Sequence, residues 1–486
     1  MINLTIDNKP VSVKEGTTIL DAAKQAGIEI PTLCYLKDVN KPASCRMCMV
    51  DVSGRLSPSC VTPVWEGMDV KTQTKKLRNI RKTILELTLA NHNCDCTICD
   101  KSGNCKLQTL ANTYLTGPSD FETCFEKGFD DSSNCVTRDY SKCIKCGRCV
   151  SICKDKVGAK AISFVNRSDS TTVSTPFDIP VINSDCIGCG QCISVCPTGA
   201  LVEKGTTEEL YYLLGEDTYY NICLLSYGTY ESLSKGLGVD DALIKAKVVD
   251  VLNKLGFSEV IDYEEYLIKE MNAIAYILKE NMAEGKSLIY ACSPGIRKEI
   301  EDAYPEADNY FVNLPKIRKD INMKFKEDYL DRNIDKDVHL TRVENCTAFL
   351  NENEETSGID ISITTNQLVN LIKTSCIDLN KANNKPLDTL DYTGIFNPYF
   401  LSVNTAYAII RLGDKSSIKN DKGNIKEFSF ELSDGKEIKC AVVNGLKQSK
   451  EEVEKIINKE SEYDFVCVIP CEGGCVNGGG RPVDVK

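Results

Sequence analysis

The sequence predicts a multidomain protein that combines α+β and α/β domains. Three observations support this: apolar residues alternate near the N-terminus, a cysteine motif recurs between residues 140 and 200, and later helices alternate with short apolar strands. A chain of 486 residues with 42% hydrophobic content can build several cores. We expect four domains, at residues 1–76, 77–126, 127–208 and 209–486.

The N-terminal region predicts a small mixed fold followed by a helix. Apolar residues alternate along 2–13 around a central turn, which indicates a β-hairpin. Thr17 or Thr18 then caps a helix over about 19–26. Leucine and isoleucine at helical spacing over 77–90 predict a second helix that leads into a group of cysteines.

The region after residue 208 has the pattern of an α/β domain. Amphipathic helices are predicted at 241–255 and 266–283, and short strands at 287–292, 360–364, 439–443 and 464–469. Cys292, Cys471 and Cys475 follow predicted strands, where α/β folds place their sites.

Composition and charge exclude several classes of protein. The net charge of −12 repels phosphate backbones, which argues against nucleic-acid binding. We see neither a signal peptide nor an apolar stretch of membrane-spanning length, so we expect a cytoplasmic location. The 26 cysteines are too many for packing alone, and a chain of this length needs no disulfide staples. Metal ligation is the better interpretation.

The first cysteine group is Cys34, Cys45, Cys48 and Cys60. A close Cys-x-x-Cys pair with two more distant thiolates can hold a [2Fe–2S] cluster. A structural zinc site or buried free cysteines are the alternatives. The hairpin and helix that precede this group resemble the plant-type ferredoxin (β-grasp) fold, which favours the cluster.

The second group is His92, Cys96, Cys99 and Cys105, in a small helical domain. One imidazole and three thiolates can hold a [4Fe–4S] cluster, and the neutral imidazole should raise its reduction potential. A zinc site with three cysteines and one histidine is the alternative.

The third group is a repeat with the spacing of a bacterial two-cluster ferredoxin domain, in which the fourth cysteine of each motif binds the other cluster. By this rule one [4Fe–4S] cluster is held by Cys143, Cys146, Cys149 and Cys196, and the second by Cys186, Cys189, Cys192 and Cys153.

Several cysteines remain outside these motifs. Cys471 and Cys475 lie in a glycine-rich segment that could approach a bulky cofactor closely, or form a flexible tail with two idle thiols. Cys135 has no such setting, and we attribute it to packing or chance.

The order of these domains, ending in Cys-Glu-Gly-Gly-Cys-Val-Asn-Gly-Gly-Gly, resembles the [FeFe]-hydrogenases over nearly the whole chain. The first two cluster domains are also similar to the start of the large iron–sulfur subunit of respiratory complex I. The resemblance implies a C-terminal hydrogenase-like domain whose loops would bind the H-cluster.

The resemblance also implies the residues of that site. Cys292 matches the family's proton-relay cysteine, and Ser293 occupies the first ligand position, where the family has cysteine. Cys346, Cys471 and Cys475 match the other ligands. The H-cluster positions are therefore degenerate, and a [4Fe–4S] cluster on Cys346, Cys471 and Cys475 remains open.

Other matched positions depart from the family in the same direction. Phe349 replaces the lysine that binds a cyanide ligand, and Ala273 and Tyr276 replace two carboxylates of the proton path. Bulky residues occupy 395–401, where the family has a glycine-rich stretch, and Ser226 begins the loop that matches the family's small Ala-Pro-Ser loop.

These features predict an iron–sulfur electron-transfer subunit with one [2Fe–2S] and three [4Fe–4S] clusters and no working H-cluster of its own. It would relay electrons between a flavin- or NAD(P)H-dependent subunit, or a ferredoxin, and another subunit of a hetero-oligomeric oxidoreductase. The alternative is a divergent or sensory [FeFe]-hydrogenase, linked to ferredoxin or NAD(P), that still cycles hydrogen.

Overall fold

A computed structural model of the chain describes residues 1–115, 117, 121–225, 227–332, 334–387, 418–431, 437–472, 474 and 477–482. The architecture is a mixture of helix and sheet in several units. Among these residues no helix is both long enough and apolar enough to cross a lipid bilayer.

The N-terminal unit is built on a five-stranded sheet of order β2-β1-β5-β3-β4. Its elements are β1 (Ile2–Ile6), β2 (Lys9–Val13), α1 (Ile19–Gln25), β3 (Met49–Val52), β4 (Arg55–Pro58) and β5 (Asp69–Lys71). The predicted hairpin is confirmed by the antiparallel pairing of β1 with β2. Thr18 caps α1, because its Oγ1 accepts a hydrogen bond from the Asp21 N–H.

Two helices and a set of short elements follow. They are α2 (Lys75–Ala90), α3 (Lys106–Tyr114), β6 (Phe129–Asp130), β7 (Val136–Asp139), α4 (Arg148–Ser151), β8 (Ser163–Val165), β9 (Thr172–Ser174), α5 (Gln191–Ser194) and β10 (Leu201–Glu203). The helix predicted over 77–90 is confirmed as α2. The two halves of the cysteine repeat share one local feature: α4 and α5 each begin after a left-handed glycine, Gly147 with φ 77° and Gly190 with φ 66°.

The C-terminal part begins with α6 (Thr207–Leu214), β11 (Tyr219–Leu225), α7 (Tyr230–Leu237), α8 (Asp241–Leu255), β12 (Glu259–Asp262), α9 (Glu264–Ala283), β13 (Leu288–Ala291), α10 (Pro294–Ala303) and α11 (Leu314–Leu330). It continues with β14 (Asp337–Glu344), α12 (Glu354–Ser357), β15 (Ile361–Thr364), α13 (Thr365–Thr374), β16 (Asn420–Asp421), β17 (Ile425–Glu431), β18 (Glu437–Asn444), α14 (Leu446–Ile457) and β19 (Phe465–Ile469). Both predicted helices and all four predicted strands are present within a few residues of their expected bounds.

These strands form two sheets, of order β12-β11-β14-β15 and β13-β19-β18-β17-β16. One apolar core contains side chains of both sheets and of α9 and α11. Alternate residues of β11 face opposite sides: Ile222 and Leu224 join that core, while Cys223 and Leu225 join a second core with α7, α8 and α13. The β11 sheet is therefore buried on both faces, as parallel sheets usually are.

Candidate metal centres

The first cysteine group forms two close sulfur contacts. The Cys34 N–H donates to Cys45 Sγ at 3.5 Å, and the Sγ atoms of Cys48 and Cys60 lie 3.3 Å apart. Hydrogen bonding to Cys45 lowers the pKa of Cys34 to about 5, and hydrogen bonding to Cys60 lowers that of Cys48 to about 7. The pKa values of Cys45 and Cys60 are raised by the same contacts. Each pair thus holds one thiolate readily, which suits a site that requires thiolates.

A buried arginine fixes the loop that carries two of these cysteines. Arg81 on α2 is fully buried and donates from Nε to the Met47 carbonyl at 3.3 Å and from Nη2 to the Met49 carbonyl at 3.0 Å. Both carbonyls flank Cys48 in the sequence. The helix that leads to the second cysteine group therefore also holds the first.

His92 follows the end of α2 and is buried. Its Nδ1 atom has no hydrogen-bond partner, and burial, with the nearby charge of Lys142, lowers the pKa of the imidazole. A neutral imidazole with an unsatisfied nitrogen is suited to ligate a metal, because the bond would satisfy the buried atom.

The three cysteines grouped with His92 lie on short turns. Cys96 begins a single 3₁₀ turn that ends just before Cys99, and Cys105 caps α3 by accepting the Gln108 N–H at 3.5 Å. A Cβ atom placed on Gly199 would lie 2.6 Å from Cys99 Sγ, so glycine leaves the sulfur its space. Gly199 belongs to the cysteine-repeat region, and the second group therefore packs against the third.

The cysteine repeat places its eight thiols in two crossed sets. Cys143, Cys146, Cys149 and Cys196 line one cavity. Burial raises the pKa of Cys149, and negative charge on the thiolates of Cys146, Cys196 and Cys143 raises it further. The structure thus brings the last cysteine of the second motif to the first set.

The second set shows the reciprocal arrangement. Burial raises the pKa of Cys192, and so do the charges of Cys186, Cys189 and Cys153. The fourth cysteine of the first motif therefore lies with the first three of the second. Burial alone favours neutral thiols, whereas bound iron would require thiolates, so loading these sites should release protons.

Within the described residues no three histidine, cysteine or acidic side chains converge closely enough to hold a single metal ion. A single zinc ion needs four ligands at bonding distance from one point. The ligands of a multi-iron cluster bind different irons and so lie farther apart.

The loop of the first cysteine group contacts the first set of the repeat. Asn40 is buried, and its Nδ2 donates to the carbonyls of Cys34 at 2.8 Å and Cys146 at 3.0 Å. Its Oδ1 accepts a bond of 2.7 Å from the Ser151 hydroxyl. Arg148 reinforces the contact by donating to the Cys34 carbonyl at 3.4 Å. One amide group thus joins two candidate ligand loops.

The C-terminal cysteines line a second cavity with the serine that precedes α10. Cys292, Ser293, Cys346 and Cys471 all contribute to its wall, together with Cys189 of the repeat. Cys475, Ser226 and residues 395–401 lie outside the described residues. Tyr276 is 64% exposed.

The cysteine repeat and the C-terminal loops are in close contact. Gln191 Nε2 donates to Cys471 Sγ at 3.2 Å and to the Asn477 carbonyl at 2.7 Å. A side chain on Gly190 or Gly479 would overlap the other glycine's backbone or Thr347. This close approach requires glycine at both positions.

Cys135 occupies a specific position in this contact. It is buried, its pKa is raised by burial and by the charges of Cys186 and Cys346, and a Cβ atom on Gly188 would lie 2.7 Å from its Sγ. Cys135 therefore packs against Gly188, in the loop that carries the candidate ligands Cys186 and Cys189.

Phe349 lies among buried charges. The guanidinium carbons of Arg318 and Arg342 are 5.3 Å and 4.3 Å from its ring centroid. Arg318 pairs with Glu270 at 3.0 Å and Glu352 at 2.7 Å, and Arg342 with Glu352 at 2.8 Å. The position matched to the family's lysine is therefore an aromatic ring covered by two paired arginines.

Sequence comparisons agree with this organisation. The family profile "Iron only hydrogenase large subunit, C-terminal domain" matches residues 226–479. Profiles for a 2Fe-2S iron-sulfur cluster binding domain, the NADH-ubiquinone oxidoreductase-G iron-sulfur binding region and a 4Fe-4S dicluster domain match residues 1–75, 81–116 and 142–200.

Among curated proteins, the chain is 32% identical to the NADP-reducing hydrogenase subunit HndD of Solidesulfovibrio fructosivorans, over 99% of this chain and 89% of the relative. It is 28% identical to iron hydrogenase 1 of Clostridium pasteurianum, over 99% of this chain and 89% of that protein. The NADH-ubiquinone oxidoreductase 75 kDa subunit of Reclinomonas americana is 37% identical over 42% of this chain and 30% of the relative. With cluster-binding domains ahead of a matching C-terminal domain, the chain belongs to the iron-only hydrogenase large-subunit family.

Proposed function

We propose that this chain is an electron-relay subunit of a hetero-oligomeric oxidoreductase, passing electrons between a flavin- or NAD(P)H-dependent subunit, or a ferredoxin, and another redox subunit. The observation that carries the proposal is the continuous contact among the candidate ligand loops. Asn40 joins the first group to the repeat, and Gln191 joins the repeat to Cys471.

The proposed cofactors follow the four groups. One [2Fe–2S] cluster would be held by Cys34, Cys45, Cys48 and Cys60 in a plant-type ferredoxin domain at 1–76. One [4Fe–4S] cluster would be held by His92, Cys96, Cys99 and Cys105 in the helical domain at 77–126. Two more would be held by the crossed sets of the two-cluster ferredoxin domain at 127–208. The remaining domain, 209–486, would be hydrogenase-like.

When bound, iron–sulfur clusters accept and release single electrons. The chain's own residues hold the ligand loops at fixed separations and exclude water from them. Arg148 is buried beside the Cys34 loop, and Lys142, whose ammonium pairs with Asp139 at 3.1 Å, lies near His92. The Arg148 guanidinium offsets part of the negative charge that thiolate ligands introduce, whereas the Lys142 ammonium is already paired with Asp139.

The relatives suggest the kind of partner. HndD is named as a subunit of an NADP-reducing hydrogenase, and the Reclinomonas americana protein as a subunit of an NADH-ubiquinone oxidoreductase. Another relative, 40% identical over 42% of this chain, is the alpha subunit of an NADPH-Fe(3+) oxidoreductase of Geobacter sulfurreducens. A nicotinamide-linked redox subunit is therefore the partner we propose.

We propose further that the chain does not carry a working H-cluster. A lysine donor is replaced by Phe349, whose ring lies under Arg342 and Arg318. Glu352 pairs with both arginines, and Glu270 also pairs with Arg318, so the two guanidinium groups belong to a buried ion-pair network. Ala273 and Tyr276 cannot supply the carboxylates of a proton path.

The alternative is a divergent or sensory hydrogenase. It is favoured by one observation, that Cys292, Cys346 and Cys471 line a common cavity. Infrared spectra of the full-length chain, expressed with hydrogenase maturation proteins, distinguish the electron relay from the hydrogenase. Bands of CO and cyanide would support the alternative, and their absence supports the relay.

The relay itself is tested by electron transfer. The loaded full-length chain, reduced with dithionite and freed of excess reductant, should transfer about one electron per loaded cluster to flavin mononucleotide, about four of them from the N-terminal clusters. The apoprotein is the control. Failure of the loaded chain to reduce the flavin would contradict the proposal.

A further inference from the structure

We propose that Cys292, and not Ser293, is the ligand that β13 supplies to a [4Fe–4S] cluster shared with Cys346 and Cys471. The proposal rests on the proposed relay, to which it adds a fifth site. It assigns a ligand set in which cysteine, not serine, is used at the end of β13.

The fold brings these three cysteines together through the ends of parallel strands. Cys292 directly follows β13 and its N–H donates to the Val468 carbonyl of β19 at 3.3 Å. Cys471 follows β19, the strand that pairs in parallel with β13. Cys346 follows β14 in the other sheet. The carboxyl ends of parallel strands are the usual location of sites in α/β folds.

Backbone contacts fix the loops that carry them. Asn444 Nδ2 donates to the Cys471 carbonyl at 3.0 Å. The Gly480 N–H donates to the carbonyl of Asn345, the neighbour of Cys346, at 2.9 Å. The two ligand loops are thus held by hydrogen bonds that do not involve their sulfur atoms.

The chemistry of the two adjacent residues distinguishes them. A thiolate matches iron in a sulfide cluster, whereas a serine hydroxyl is a harder donor with a far higher pKa. Ser293 also lines a separate cavity, together with Arg297 and Arg318. Cys292 and Ser293 both line the cavity with Cys346 and Cys471, and of the two only Cys292 offers a thiolate. We therefore assign the ligand to Cys292.

The site continues the series of candidate clusters. Cys189, of the second set, lines the same cavity as Cys292, Cys346 and Cys471. Gln191 donates to the Cys471 sulfur, which favours the thiolate that a cluster requires.

The experiment compares four full-length proteins reconstituted anaerobically: the unmutated chain, Cys292→Ser, Ser293→Ala and Cys440→Ser. Cys440 is a buried cysteine of β18 that does not line the cavity, and it serves as the control. The unmutated chain, Ser293→Ala and Cys440→Ser should each bind about 18 irons, and Cys292→Ser about 14. Cys292→Ser should also lose one cubane signal in electron paramagnetic resonance (EPR) spectra.

The signals of the N-terminal clusters report whether each variant is folded. Cys292→Ser with those signals intact and one cubane missing supports the proposal. An unchanged iron content in Cys292→Ser, loss of the cubane in Ser293→Ala, or about 14 irons in the unmutated chain would each overturn it. In the last case flavin reduction would be retained, so the relay would stand while the fifth site fails.

Discussion

The side-chain amide nitrogen of Gln191 lies 3.2 Å from the Sγ atom of Cys471, so a residue between two candidate ligands of one loop donates to a candidate ligand of another. Hydrogen bonds to ligand sulfurs raise the reduction potentials of iron–sulfur clusters, because they stabilise the more negative reduced state.

We expect Gln191→Leu to lower the potential of a cluster on Cys471 by about 60 mV, a factor of about ten for a one-electron couple. EPR-monitored redox titration of the full-length chain measures this. Ser194→Ala is the control, because Ser194 lies on the same short helix and its hydroxyl donates to the Gln191 carbonyl at 2.9 Å rather than to a sulfur. Equal potentials in Gln191→Leu and the unmutated chain would show that the Gln191–Cys471 hydrogen bond does not affect the potential of the cluster.

Asn40→Ala should loosen the contact between the [2Fe–2S] loop and the first cubane loop. It removes three side-chain hydrogen bonds, to the Cys34 and Cys146 carbonyls and from the Ser151 hydroxyl, at a cost of about 1–3 kcal/mol. Hydrogen exchange of residues 34–48 should therefore become faster. Asn91→Ala is the matched control, since Asn91 is exposed and its side-chain amide donates to the nearby Leu87 carbonyl on its own helix. Unchanged protection in Asn40→Ala would refute the proposed junction.

His92→Cys should keep a cubane and lower its potential, because a thiolate adds negative charge where the imidazole is neutral. A redox titration followed by EPR should show one signal moving. His339→Cys is the control, because His339 packs edge-on against Tyr219, away from the cysteine groups. If no signal moves in His92→Cys, the imidazole is not a ligand.

Glu352→Gln should destabilise the region around Phe349. It leaves Arg318 and Arg342 with less compensation in a buried site, at a cost of about 3–5 kcal/mol. Faster hydrogen exchange of residues 337–352 measures the loss. Glu354→Gln, at an exposed glutamate that pairs with Lys326 at 3.5 Å, should have little effect.

The same pair predicts a pH dependence. Burial would raise the pKa of Glu352, but the charges of Arg342 and Arg318 outweigh it, and the pKa is lowered from 4.5. The stabilisation is therefore complete above the unfolded pKa and is lost as the pH falls through the lower, folded pKa. The difference between the unmutated chain and Glu352→Gln should shrink only under acid conditions. A difference that disappears already at neutral pH would contradict this assignment.

The matured, unmutated chain should neither evolve nor oxidise hydrogen, since Phe349 supplies no donor and Tyr276 no proton-path carboxylate. Ser293→Cys alone should not rescue turnover. Methyl-viologen-linked hydrogen assays of both proteins measure this. Hydrogen production by the unmutated chain would establish the hydrogenase alternative.

Local patterns predicted the fold well where the signal is periodic. The hairpin, α2 and the helices and strands at 241–292 and 439–469 follow from apolar spacing. The spacing of the repeat predicts two crossed ligand sets, and Cys196 lines a cavity with the first three cysteines of the first motif. The binding of clusters by these two sets stays a prediction.

Contacts between distant loops could not be predicted in this way. Asn40 and Gln191 act through side-chain amides, whose partners depend on how domains dock, and no local pattern marks them. Arg318 and Arg342 belong to different elements and meet only in the folded core. The sequence does place Gln191 between Cys189 and Cys192, which indicates that it lies near a ligand loop but does not indicate its partner Cys471.

The contact of Gly190 with Gly479 also sets an order of assembly. Gln191 and Cys471, beside it, are 280 residues apart in the chain. During synthesis the N-terminal domains leave the ribosome first and can fold as units. Their cysteines can therefore receive iron while the rest of the chain is still being made. The cavity at Cys471 forms only after Gly479 has docked against Gly190, so a cofactor there would be inserted later than those of the N-terminal domains.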